Sequence, residues 1–154
     1  MGQGQEAYMR EAIAEAKAAY RRGEVPVGAV AVHDGRVIAR GHNRKEEWAD
    51  PTAHAEMTVL RQAAQALGGW RLAGVTLYCT MEPCPMCAGA MVLARLPRLV
   101  YAVQDPKSGA AGSVVNVVRS PGLNHQVQVT KGVLADDVKE LLELFFKGLR
   151  QETA

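Results

Sequence analysis

Apolar residues recur every three to four positions from Tyr8 to Tyr20: Tyr8, Met9, Ala12, Ile13, Ala16, Ala19 and Tyr20 share one face, and Arg10, Glu11, Glu15 and Lys17 the other. This period predicts an amphipathic helix, stopped at Gly23. Val25 to Val32 is apolar without alternation, as in a strand buried on both faces, with Pro26 near its start. Asp34-Gly35 then separates it from Val37–Gly41, which predicts a hairpin. A polar stretch from His42 to Asp50 leads to a helix ending near Leu67 at Gly68-Gly69, with Asp50 or Thr52 as its N-cap and Pro51 in its first turn. Val75, Leu77 and Cys79 alternate with Thr76, Tyr78 and Thr80 in a third strand. Pro83 opens a helix that is apolar nearly all round to Ala94, as expected between two layers. Leu99–Val103 is a fourth strand, and His125–Thr130 a fifth at a sheet edge. The chain between these two is long enough for the helical crossover of a parallel pair, with a short helix around Val114–Val118. A last helix, Ala135–Arg150, would bury Val138, Leu141, Leu142, Phe145 and Leu149, with Phe146 at the margin.

Strands alternating with helices predict an α/β fold of three layers, a five-stranded, mostly parallel sheet with helices on both faces. A site would lie beyond the carboxyl ends of the central strands. At 154 residues, with no repeat or linker, the chain reads as one domain over 1–154 with its core at 8–150. The start, Met1–Glu6, has no apolar run, and no stretch reaches the length of a membrane span, so neither a secretory signal nor a membrane partner is expected. Three cysteines do not make a disulfide framework and suit a reducing cytoplasm. Cys79 reads as a small buried strand residue. The net charge of +2 makes no case for nucleic-acid binding, so any such surface must be local.

Two clusters carry chemistry: Pro51-Thr-Ala-His-Ala-Glu56 and Glu82-Pro-Cys-Pro-Met-Cys87. His54, Cys84 and Cys87 offer one nitrogen and two thiolates, a set that suits one tetrahedral zinc per chain with its fourth position open to water. Such a metal lowers the pKa of water to about 7, and Glu56 is the natural proton carrier. Cys84 and Cys87 fall on one face of a first helical turn, where the partial positive charge favours thiolates. Residues two apart on a helix point roughly 200° from each other. His54 and Glu56 can therefore face one metal only if their helix begins close to His54. The pattern His-x-Glu … Pro-Cys-x-x-Cys is a known signature of zinc deaminases.

From about Tyr8 to Arg150 the chain resembles the bacterial tRNA-specific adenosine deaminases, of the cytidine-deaminase-like fold. The matching stretches are Glu24–Val30, Asn43-Arg44, Asp50–Glu56, Glu82–Ala90, Asp105–Ser113, Asn124-His125 and the Phe145-Phe146 ending. The resemblance implies conversion of the wobble adenosine of an anticodon to inosine, a homodimer with one zinc per chain, and an anticodon arm bound beside the site. It implies that Asn43 hydrogen-bonds the flipped base and that Asp105 and Lys107 lie against neighbouring nucleotides. Ala55 and Asn124 join the substrate-binding set on the same ground. Alternatives stay open: Asn43 as a turn residue, the Gly-rich loop as a tight connection, and Phe146 as core. A deaminase of free guanine, cytosine or deoxycytidylate would share the zinc site. A zinc-stabilised binding module would not need Glu56.

Overall fold

The computed structural model describes residues 2–153, with side chains over 4–151; Met1 and Ala154, the outermost residues of the expected domain, lie outside the described residues. Its elements are α1 (Gly2–Arg21), β1 (Gly28–His33), β2 (Arg36–His42), α2 (Ala55–Leu67), β3 (Val75–Met81), α3 (Pro85–Leu93), β4 (Arg98–Val103), β5 (Gln128–Lys131) and α4 (Ala135–Thr153). The strands form one sheet in the order β2-β1-β3-β4-β5. β1 is antiparallel to both neighbours, while β3, β4 and β5 pair in parallel. Four strands therefore run one way and β1 alone opposes them, which makes the sheet mixed in its pairings.

The central strands β1, β3 and β4 split their residues between two cores, and this produces the three layers. Ala29, Ala31, Val75, Leu77, Cys79, Leu99 and Tyr101 face α2 and α3. Val30, Val32, Tyr78, Val100 and Ala102 face α1 and α4. Small residues set the spacing of the second layer. A Cβ on Gly28 would lie 2.1 Å from the carbonyl oxygen of Ala12, so the backbone of α1 rests directly on β1. The hairpin forms as its sequence predicts, with Asp34 and Gly35 both at positive φ. Gly68, at φ 75°, caps α2 by donating to the carbonyl groups of Ala64 and Gln65.

Four expectations need correction. The first strand starts at Gly28, so Val25, Pro26 and Val27 lead into it rather than belong to it. No helix forms at Val114–Val118. That segment is a series of turns with a single bridge between Ala111 and Asn116, and the β4–β5 crossover proceeds without a helix. β5 begins at Gln128 instead of His125, and it is an edge strand as expected. On α4, Val138, Leu141, Leu142 and Phe145 are buried, but Leu149 and Phe146 are about 40% exposed. Phe146 is therefore not core.

Two buried carboxylates hold the connections on either side of the sheet's carboxyl edge. Glu24 accepts the backbone N–H groups of Glu46 and Glu47 at 3.0 and 2.7 Å. Glu82, only 2% exposed, accepts those of Asp105, Ala111 and Ser113 at 2.9 to 3.1 Å, together with the Ser113 hydroxyl. Within that loop the N–H groups of Val114 and Val115 bond to the Gly109 carbonyl and that of Val117 to the Ala110 carbonyl, while Gly112 donates to the Val115 carbonyl, so the segment folds back on itself instead of starting a helix. Gly109 is part of the same wrapping: a Cβ there would lie 2.5 Å from the Glu82 carboxyl.

Burial by itself pushes the Glu82 carboxyl up, but the Ser113 hydroxyl and the three backbone N–H groups outweigh it and hold the group below the usual range. A depressed folded-state pKa stabilises the protein fully above the unfolded value, about 4.3 for glutamate. That contribution is lost as pH falls through the lowered value. Glu82→Gln puts a donor where every neighbour donates, and should cost about 2–3 kcal/mol in urea denaturation at pH 7. The gap between the variant and the parent should narrow as the titration is repeated at pH 4 and below.

Candidate metal centre

α2 does not begin at Pro51. Asp50 accepts the N–H and hydroxyl of Thr52 at 2.8 and 2.7 Å, closing a turn that keeps residues 50–53 out of the helix. The N-cap is His54, in extended conformation at φ −79°, ψ 151°. Because His54 sits outside the helix, the 200° separation does not apply, and its ring and the Glu56 carboxyl reach one site. α3 repeats the arrangement. Cys84 is its extended N-cap, Pro85 its first residue, and Cys87 follows within the first turn.

The three donor atoms converge. His54 Nδ1 lies 3.6 Å from Cys84 Sγ and 3.5 Å from Cys87 Sγ, and the two sulfurs are 3.7 Å apart. Zinc bonds of about 2.3 Å to sulfur and about 2.0–2.1 Å to nitrogen, at tetrahedral angles, require sulfurs about 3.8 Å apart and nitrogen–sulfur distances of about 3.6 Å. The residues present fit the ion without rearrangement. All three ligands come from the amino ends of α2 and α3, and Glu56 is not among the clustered donors.

The charges follow from this packing. Hydrogen bonding from Cys87 holds the Cys84 thiol down at about 4, even though burial opposes it, and the His54 ring lowers it further. The Cys84 thiolate in turn pushes the Cys87 thiol far up, reinforced by burial and by Glu56. The hydrogen bond to Cys84 raises His54 above its usual value against the opposing effect of burial. Glu56 is 4% exposed, and burial pushes its carboxyl up to about 7 although the His54 ring pulls it down. A carboxyl poised at neutrality can both take and return a proton. Cys79 is buried as expected, and its thiol is raised by burial.

A cavity of about 220 Å³ opens over this centre. Asn43, Ala55 and Asp105 line it with His54, Glu56 and Cys84, so the structure brings these sequence-predicted residues together. Asn43 donates from Nδ2 to the carbonyl of Val25 at 3.3 Å and accepts the N–H of Lys45 at 3.0 Å. It is thus a turn residue and a cavity residue at once. Asp105 spends its carboxylate on its own loop, accepting from the N–H groups of Lys107 and Ser108 and from the Ser108 hydroxyl. Lys107 does not line the cavity. It is exposed and borders a surface groove with Phe146, Leu149 and Arg150 of α4. Asn124 is exposed and lies outside the cavity lining.

Reasoning from motifs passed over Glu24 and Glu82. Both open motif stretches, Glu24–Val30 and Glu82–Ala90, but the pattern alone gives neither carboxylate a role. It also passed over Val25, Val27 and Met81, whose apolar side chains complete the wall.

The comparisons with known proteins agree with this geometry. The chain matches the MafB19-like deaminase family over residues 3–150. It is 50% identical over 147 residues to the tRNA-specific adenosine deaminase of Bacillus subtilis (strain 168), covering 96% of this chain and 91% of that protein. A solved structure from a study of A-to-I editing by tRNA:A34 deaminases at the wobble position superposes with a TM-score of 0.85 and 49% identity, over 88% of this chain and 99% of the other. A guanine deaminase from Nitrosomonas europaea shares the fold at a TM-score of 0.79 with 26% identity, over 91% of this chain and 83% of the other. The chain therefore belongs to the MafB19-like deaminase family and, within it, to the tRNA-specific adenosine deaminases.

Proposed function

We propose that this chain, acting as one catalytic domain, hydrolyses the wobble adenosine of a tRNA anticodon to inosine, releasing ammonia. One observation carries the chemistry: three donors at the mutual distances zinc requires, beside a buried carboxyl poised near 7, in a cavity with room for little more than a base. The relatives separate the substrates. The chain is about half identical to a tRNA deaminase and about a quarter identical to a guanine deaminase of the same fold.

Held by His54, Cys84 and Cys87, zinc supplies Lewis acidity that makes water a nucleophile at neutral pH. The remaining work belongs to the chain. A stacked base cannot reach this cavity, so the nucleotide must turn out of its loop. The Asn43 amide keeps one donor and one acceptor position beyond those its turn uses, and these orient the base. Ala55 packs beneath it as a small, fully buried wall. Glu56 accepts the proton that water gives up, delivers it to ring N1, and serves the departing amine in the following transfer. Asp105 shapes the cavity rim through its loop. Lys107 and Asn124, outside the cavity, would meet nucleotides beyond the target. Because the cavity ends at the rim, specificity for a folded RNA must come from such outer contacts.

The homodimer implied by the family is supported by exposed apolar side chains at Leu93, Val114 and Val115. Among the described residues, no helix is long and apolar enough to cross a membrane. A cytoplasmic location is supported by the free thiols of all three cysteines, two of which the metal needs reduced.

The expected outcomes concern the metal, the proton carrier and the substrate. With the Cys84 thiol held down at about 4 and the Cys87 thiol pushed up, zinc uptake at pH 7 should release at least one proton per chain, read from the buffer dependence of the calorimetric enthalpy. Cys84→Ser and Cys87→Ser should lose both zinc and activity. Glu56→Ala should keep zinc and RNA binding while losing roughly 10²–10⁴-fold in rate; turnover within about threefold of the parent would remove Glu56 from the role. Finally, an anticodon stem-loop with a wobble adenosine should be deaminated, while free adenosine, guanine, cytosine and deoxycytidylate should not. Its binding should weaken with salt by about 0.7 log units per decade for each phosphate contacted, and Lys107→Ala should remove about one such contact. Turnover of a free base with none of the stem-loop would overturn the tRNA reading and leave the zinc chemistry intact.

A further inference from the structure

The loop from Arg44 to Ala53 leaves β2 beside Asn43 and returns to His54, so both of its ends stand at the metal centre. It is closed by bonds from the Arg44 N–H to the Ala53 carbonyl at 3.0 Å and from the Asp50 N–H to the Lys45 carbonyl at 3.1 Å. Glu24 pins its middle through the N–H groups of Glu46 and Glu47. The loop carries Trp48, which is 51% exposed. The Arg44 guanidinium lies over the indole, 5.1 Å from its centre, and is itself held by the Glu47 carboxylate at 2.7 Å. That carboxylate also pairs with Arg22. An aromatic ring is thus backed by a fixed cation on one face, on a braced turn, with half of its surface left to water.

Trp48 belongs to neither core cluster, and about half of its indole is left uncovered by the protein. Its position is informative. Lys45 lines the cavity, and Trp48 is three residues further on, so their Cα atoms are at most about 11 Å apart. When the target base turns out of its stack, the base beside it loses a stacking partner. A flat ring within reach of the cavity mouth can replace that partner, and stacking on it tolerates any base. The molecule contains its own control. Trp70 is 58% exposed with the Arg71 guanidinium 4.7 Å from its ring centre, the same pairing, but it follows the far end of α2. That helix has 13 residues, which places Trp70 roughly 20 Å from the centre at its start.

We propose that the Arg44–Trp48 pair is a stacking platform for a nucleobase adjacent to the target in the RNA strand. The inference rests on the RNA reading above. The test uses a wobble-adenosine stem-loop and two versions made abasic at the nucleotide before or after the target. Trp48→Ala should raise KM for the intact stem-loop by roughly 5- to 100-fold, with kcat within about threefold and zinc content unchanged. Trp48→Phe should recover most of the loss, and Trp70→Ala should leave KM unchanged. On one of the two abasic stem-loops the Trp48→Ala penalty should disappear, because the partner of the ring is already gone. In a Glu56→Ala/Trp70→Phe protein, where Trp48 is the remaining tryptophan, the intact stem-loop should quench fluorescence and that abasic one should not. A Trp48→Ala penalty of equal size on all three RNAs, or no quenching by the intact one, overturns the platform while the RNA reading stands. A parent protein inert on the stem-loop overturns that reading, and the platform with it.

Discussion

The metal centre depends on two helices starting at one point. α2 and α3 come from distant parts of the chain, yet each begins with an extended residue whose side chain is a ligand, His54 for one and Cys84 for the other. Their positive ends converge on a site that must hold thiolates, so the backbone electrostatics favour the charge state zinc needs. The pair of thiols shares this advantage unequally: hydrogen bonding holds the Cys84 thiol down, while Cys84 and burial push the Cys87 thiol up. The mutual distances already match tetrahedral zinc. The fold therefore presents an ordered set of donors, and binding has to remove a proton rather than rearrange a loop.

Preorganisation of that kind has to extend to the cavity rim, and here buried carboxylates serve. Glu24 gathers the loop after β2, and Glu82 gathers the loop after β4. Both strands end at the carboxyl edge where the centre lies, so each acid ties one flank of the cavity to the sheet. The glycine-rich segment Asp105–Ser113 offers its amides to Glu82, a carboxylate of the protein itself. An anion-binding loop of this form would ordinarily suggest a bound phosphate, but its anion is internal.

The division between chemistry and substrate choice follows from the same layout. The cavity is small, closed beneath by Ala55 and Glu56, and a guanine deaminase of the same fold shows that the scaffold also serves a free base. On the proposed reading, what distinguishes an RNA enzyme lies outside it, on exposed groups such as Lys45, Lys107 and Trp48. These sit on loops that rigid elements and buried acids keep in place.

Local pattern determined much of this protein from sequence alone. The spacing of Cys84 and Cys87, the Asp34-Gly35 hairpin, the glycine stop of α2 and the two-faced strands all depend on residues a few positions apart. Helical period, turn chemistry and strand alternation read such intervals directly. The tertiary structure decided what acts across long intervals. It placed the start of α2 at His54, because a turn at Asp50 and the need to face Cys84 and Cys87 prevail over the helix-opening tendency of Pro51. It withheld a helix at Val114–Val118, because the N–H groups of Val114, Val115 and Val117 bond back to the carbonyl groups of Gly109 and Ala110, in a loop that Glu82, some thirty positions earlier, anchors through Ala111 and Ser113. It also left Phe146 and Leu149 on the surface of a helix whose stripe would otherwise bury them, because the core that α4 covers ends before its last turns. A buried carboxylate and the amides it binds carry no shared period along the chain, so only folding brings them together.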